Sequence, residues 1–165
     1  MSKSLIPFFI FASVFGAKSQ SLSFDELLIL MKMEQFDITE KMIIKSWVMT
    51  KTLGTWDLYF SSDTSESYST ANLYISFHYF ESGENIFSDI PYTLTYIFND
   101  KITYKQITER IDDINWQRTD KGKFVDDGLW KEYFGLNYIV MIEIMPIEEG
   151  QTSNTFALTI TGKKK

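Results

Sequence analysis

The chain has no cysteine among its 165 residues. This excludes a disulfide framework, a cysteine nucleophile and a lipid-modified cysteine at a processed N-terminus. It has a single histidine, His78, so a serine triad has one candidate base and a zinc site lacks its usual ligand set. Glycine is scarce at 8 residues. None falls in the G-x-G-x-x-G or Walker spacing that cradles phosphate, and no cofactor is expected. Cations are outnumbered, 16 Lys and Arg against 22 Asp and Glu, giving a formal net charge of −6. An acidic surface repels nucleic acid and anionic lipid, and no basic stripe offsets it, so no nucleic-acid partner is expected. Lys163-Lys164-Lys165 reads as a solvated tail.

Aromatic residues are abundant, with 14 Phe, 9 Tyr and 4 Trp making up 16% of the chain. Aromatics favour strands because they pack well on a pleated surface. The hydrophobic share of 44% is ordinary for a globular domain and supplies a core of normal size.

Met1-Ser2-Lys3-Ser4 and the apolar run Leu5 to Phe15 form a charged start followed by a short hydrophobic region. The run falls short of the roughly 20 residues that span a bilayer. Ala17-Lys18-Ser19 places small residues before a cleavage point at Gln20. The expectation is a signal peptide over 1–19, one α+β domain over 20–165, and an exported product, periplasmic or secreted. No stable membrane insertion is expected after cleavage. Removing Lys3 and Lys18 leaves 14 cations against 22 acids, a mature charge of −8.

Ser23-Phe24-Asp25-Glu26 is a capping box that opens a helix over 24–33. Asp37 is expected to cap a second helix running to Ser46. A strand is expected over 73–80, with Leu73, Ile75, Phe77 and Tyr79 on one face and Tyr74, Ser76, His78 and Phe80 on the other. Glu81 to Asn85 reads as a turn. Tyr92, Leu94, Tyr96 and Phe98 alternate with Thr93, Thr95 and Ile97 in a further strand closed by Asn99-Asp100. Thr103 and Gln106 form a second capping box, and Tyr104, Ile107, Ile111 and Ile114 form the stripe of a third helix. Strands follow around 116–119, 130–134, 138–145 and 155–161, with Pro146 ending the third of these. The fold class is α+β: a mainly antiparallel β-sheet with about three helices.

Two stretches match within the chain. Gly54-x-Trp56-x-x-Tyr59-Phe60 parallels Gly128-x-Trp130-x-x-Tyr133-Phe134, and Trp47-x-x-Thr50 parallels Trp116-x-x-Thr119. Such matches also arise by chance in an aromatic-rich chain. If they reflect duplication, half-repeats over 20–100 and 101–165 are each a helical element and an antiparallel meander, and Trp56 and Trp130 sit at equivalent core positions.

Ser23 to Leu28, Met42 to Trp47, Trp56, Tyr59 and Thr103 to Trp116 together resemble the small exported proteins common in Bacteroidota. That resemblance covers most of the chain beyond residue 20 and implies no particular activity. The tandem helix-plus-meander layout is also similar to the secreted β-lactamase-inhibitory proteins. Those carry disulfides and this chain has none, so their inhibitory function is not carried over.

The acid pairs Asp112-Asp113, Asp126-Asp127 and Glu148-Glu149 read as solvated turn and helix-end residues. Neighbouring acids point apart, whereas glycoside hydrolysis needs two carboxylates facing one cleft. The loop from Asp120 to Gly128 lacks the calcium-loop order and reads as a hairpin turn. His78 has no local acid or hydroxyl at a spacing expected to orient it and reads as a plain strand residue. The remaining functional signal is the aromatic excess. Either helices cover both sheet faces, or one face presents an aromatic surface at Tyr74, His78 and Phe80 that binds a protein or other ligand. A hydrolase built on scattered carboxylates is the alternative.

Overall fold

The computed structural model describes residues 21–52, 57–61, 72–124, 127–147 and 153–163. The chain is α+β, with three helices, an eight-stranded antiparallel sheet and a separate two-stranded hairpin.

Helix α1 spans Phe24–Leu30, and its capping box forms as the sequence predicts: Ser23 Oγ accepts from Glu26 N, and Glu26 accepts from Ser23 N. It stops short of residue 33 because Lys32 and Met33 donate to carbonyls three residues back, tightening the chain into a turn. Helix α2 spans Gln35–Ile44 and starts before Asp37, which lies in its first turn; Glu34 is the cap residue and makes no side-chain cap bond. Helix α3 spans Lys101–Asp113. Its cap is Asp100, not Thr103: the carboxylate accepts from Ile102 N at 3.0 Å and Thr103 N at 2.9 Å. Thr103 instead lies inside the first turn, buried, with its hydroxyl donating to Asp100.

The strands are β1 (Val48–Thr52), β2 (Asp57–Ser61), β3 (Leu73–Ser76), β4 (His78–Glu81), β5 (Glu84–Phe87), β6 (Thr93–Phe98), β7 (Gln117–Lys123), β8 (Leu129–Phe134), β9 (Tyr138–Met145) and β10 (Thr155–Gly162). The large sheet runs β1-β2-β3-β6-β10-β9-β8-β7, and β4-β5 form the hairpin. Helices α1 and α2 precede one meander and α3 precedes the other. The last strands of the two meanders, β6 and β10, pair at the centre.

The single strand expected over 73–80 is broken. β3 pairs with β6 only as far as Ser76↔Thr93. Beyond Tyr92 comes Pro91, which has no N–H to extend the ladder. Phe77 is buried, its carbonyl accepts from Ser88 N, and the chain leaves the sheet as β4. The expected turn contracts to Ser82-Gly83, both at positive φ, as a tight two-residue hairpin connection requires. A strand unseen in the sequence, β5, follows.

Cross-strand register gives the core its rows. One row is Leu58, Ile75, Leu94, Ile160, Val140, Tyr133; the next is Phe60, Leu73, Tyr96, Leu158, Ile142, Lys131. All but Lys131 are buried, and they form one cluster with Phe24, Leu27 and Leu30 of α1, Ile38 and Met42 of α2, and Ile107 and Ile111 of α3. All three helices therefore cover the same face. Each such side chain contributes roughly 1.5–3 kcal/mol when taken from water.

The paired stretches divide in two. Trp47 and Trp116 hold matching places: each follows a residue at positive φ, Ser46 or Asn115, and each N–H donates to the carbonyl five residues back, on Met42 or Ile111. Both helices thus end in the same left-handed capping motif. Thr50 and Thr119 both fall at the register shift of their hairpin. The longer pattern does not align. Tyr59 is opposite Tyr74 on the face away from the helices, while Tyr133 is in the core. Gly54 and Trp56 lie outside the described residues, and Trp130 is half-buried on the helix-free face rather than in the core.

Candidate functional site

Because side chains alternate, fixing the helix-covered rows fixes the opposite face. Its rows are Asp57, Ser76, Thr93, Thr161, Ile139, Phe134; Tyr59, Tyr74, Thr95, Thr159, Met141, Glu132; and Ile97, Ala157, Glu143, Trp130. The helices pack on the other face, and of the described strands outside the sheet β4 reaches this one at its edge, through His78 against Asp57 and Ser76. Thr95 and Thr159 hydroxyls meet at 3.1 Å in the middle of the sheet, which gives the face a polar spine between two aromatic ends.

One end is built on the two tryptophan-side strands. Trp130 lies flat over Gly122 of β7, where a Cβ would fall 2.5 Å from the ring. Only glycine on the edge strand allows this approach. Phe134 lies four residues further along β8, and the Lys163 ammonium stacks on its ring at 4.8 Å while donating to the Gly135 carbonyl.

The other end gathers around Asp57. The Tyr59 and Tyr74 rings meet at a tilt, their centroids 4.8 Å apart. The Tyr74 hydroxyl donates to Asp57 Oδ1 at 3.2 Å, and His78 Nδ1 lies 3.4 Å from the same oxygen. Ser76 Oγ is 3.2 Å from His78 Nδ1. Burial first, and the Asp57 carboxylate as well, hold the Tyr59 and Tyr74 hydroxyls above the ordinary tyrosine range, so both are protonated donors at neutral pH.

Tyr74 is where the sequence placed it, on an aromatic face. His78 is brought beside it by the turn out of the sheet, not by strand alternation. The expectation that no acid or hydroxyl orients His78 is corrected: Asp57 arrives from the neighbouring strand and Ser76 from two residues away. Phe80 pairs with Asn85 in the hairpin; its side chain lies outside the described residues. The strand face proposed from Tyr74, His78 and Phe80 is thus divided between two sheets.

The Ser76, His78 and Asp57 contacts do not have the geometry of a triad. A triad sets the carboxylate on one ring nitrogen and the nucleophile on the other. Here both meet Nδ1, and Ser76 is only 5% exposed. The arrangement orients the ring and leaves no hydroxyl aimed at solvent. Of the acid pairs, Asp112 and Asp113 are exposed at the end of α3 and Asp127 pairs with Lys123; Asp126, Glu148 and Glu149 lie outside the described residues. Among the described residues no three His, Asp or Glu side chains converge as metal ligands.

Sequence reading missed Tyr59, Ile97, Phe134 and Met141 as members of this face and misplaced Trp130. Alternation within β9 and β10 separates inward from outward residues. Which outward residues become neighbours depends on strand order, and no single strand encodes that. Comparison with protein families, curated proteins and solved structures finds no match.

Proposed function

We propose that this chain is an exported, non-enzymatic binding domain that holds a protein or other ligand on the helix-free face of its eight-stranded sheet. One observation carries the reading: all three helices sit on one face, and the other presents Tyr59, Tyr74, Trp130, Phe134 and Met141 with no described helix over them. Aromatic side chains with half-exposed rings supply large contact area at low entropic cost, and they dominate binding surfaces for that reason. The hydrolase alternative finds less support, since the acids that face this side, Asp57, Glu132 and Glu143, are spread across strands β2, β8 and β9 and not paired across a cleft. Export rests on the charged start, the apolar run and the small residues before Gln20. A duplicated helix-plus-meander unit is supported by the matching helix ends and bulges at Trp47, Thr50, Trp116 and Thr119.

The test is affinity capture from the exported fraction, comparing the intact chain with a Tyr74→Ser, Trp130→Ser variant of equal thermal stability. A species held by the intact chain and released by the variant is the expected result. Equal retention by both sinks the reading. N-terminal sequencing of the exported protein should begin at Gln20 within three residues.

A further inference from the structure

The helix-covered face of the sheet does not stay filled to its end. The row beyond Leu94, Ile160 and Val140 is Tyr92, Gly162, Tyr138: Gly162 is opposite Tyr138 on β9 and donates to the Tyr92 carbonyl on its other side. A residue without a side chain therefore sits between two tyrosines. A Cβ built there would meet the Tyr92 carbonyl oxygen at 3.6 Å and Tyr92 Cδ2 at 3.7 Å, ordinary contacts, so a side chain enters without a clash. The β4-β5 hairpin adds Tyr79, whose ring packs at a tilt against Tyr92 with centroids 4.4 Å apart, and the α1–α2 connection adds Met31 and Lys32. The result is a cleft of about 550 Å³, within the range of small-molecule sites.

The lining has a charge pattern that the rest of the chain does not. The whole sequence carries a net charge of −6, yet among the described residues the cleft is lined by Lys32 and Lys163 and by no Asp or Glu. Its remaining polar groups are the Asn137 amide, Ser88 and the tyrosine hydroxyls. Lys163 is already engaged with Phe134 and Gly135, which leaves Lys32 as the cation at the rim with no described partner. Burial also holds the Tyr138 hydroxyl above its ordinary range, as a neutral donor.

The geometry points to a binding cleft for a small organic anion with a flat ring. The ring lies on Gly162 between Tyr92 and Tyr138, and the negative group faces Lys32. The tyrosine walls favour an aromatic ring by offset or edge contact, and the acid-free lining favours the anion. The Tyr92–Gly162–Tyr138 row of this cleft is on the opposite side of the sheet from the proposed partner face; Lys163, which stacks on Phe134, borders both, and Lys32 and Gly162 belong to the cleft alone, so their variants test this reading separately.

The experiment titrates the full chain with 2-naphthoate, its neutral alcohol analogue 2-naphthalenemethanol, and glucuronate, an anion with a non-aromatic ring. Binding is read by calorimetry and by amide NMR shifts. The expected result is saturable 2-naphthoate binding with shifts at Asn137, Gly162 and Lys163, weaker binding of the alcohol, and loss of affinity as salt rises. Gly162→Leu fills the space and should abolish binding. Lys32→Glu, at an exposed position, should weaken 2-naphthoate by roughly threefold or more while leaving the alcohol unchanged. If Gly162→Leu fails to fold, Lys32→Glu still decides. No saturable 2-naphthoate binding, shifts confined to other residues, equal affinity for acid and alcohol, or preference for glucuronate each overturns the assignment.

Discussion

Asp100 stands two residues past the end of β6 and caps α3, and its carboxylate carries the helix start. Its pKa lies below the ordinary value, first through the Thr103 hydroxyl and then through the Ile102 and Thr103 amides. A carboxyl depressed on folding adds stability that is present above its unfolded value, 3.8, and lost as pH falls through the lower folded value. Asp100→Asn should therefore match the parent at neutral pH, because Asn caps as well as Asp, and should lose part of the acid-side slope. Asp100→Ala should cost about 1 kcal/mol at neutral pH. Urea unfolding on both sides of pH 3.8 checks both. An unchanged slope in Asp100→Asn would count against the cap. The Ser23–Glu26 box was legible because both partners lie within four residues. Asp100 was missed because it was read as the close of a strand, whereas β6 ends at Phe98 and Asp100 belongs to the helix start. His78 was misread for a related reason: its acid partner lies on β2, a neighbour only after folding.

Helices α2 and α3 end alike, in a left-handed residue followed by tryptophan. Ser46 has φ 62° and Asn115 φ 56°. Asparagine tolerates this region and serine does so at some strain, whereas glycine adopts it freely. Ser46→Gly should raise stability by about 0.5–1 kcal/mol, and Asn115→Gly by less. Thermal melts of the two variants check the order; a destabilised Ser46→Gly would show that its left-handed conformation is not limiting. The elements legible in sequence are those with one face buried. The stripe Tyr104, Ile107, Ile111, Ile114 and the alternations of β6, β9 and β10 follow from core rows that run straight through them. β7 reads Gln-Arg-Thr-Asp-Lys-Gly-Lys and is exposed along nearly its whole length. An edge strand with nothing to bury leaves little periodic signal, and its charges protect the edge from pairing with another chain. β5 escaped for the same reason, and β4 was merged with β3 because Pro91, which stops the ladder, is distant in sequence.

At the scale of the molecule, the two helix-plus-meander halves share one core. Leu94, Tyr96 and Phe98 of β6 face Ile160, Leu158 and Phe156 of β10 across the central pair, and Phe24 of the first half meets Trp116 of the second edge-on at 5.6 Å. Cutting between residues 100 and 101 turns both central strands into edges and uncovers these residues together. At roughly 1.5–3 kcal/mol for each large apolar side chain, the loss from β6 alone approaches the net stability of a domain, roughly 5–15 kcal/mol. The fragment 20–100 should therefore lack a cooperative unfolding transition as a monomer, although it holds two of the three helices. Mixed with 101–165, it should recover the transition, because the β6–β10 pairing and the Phe24–Trp116 contact need no covalent link. Circular dichroism melts and sedimentation of the fragments, alone and mixed, test this. A fragment 20–100 that melts cooperatively as a monomer would show two independent domains and require the shared core to be energetically minor. One that folds only as a dimer would show β6 accepting a second copy in place of β10, the outcome that a duplicated unit with a self-pairing edge predicts.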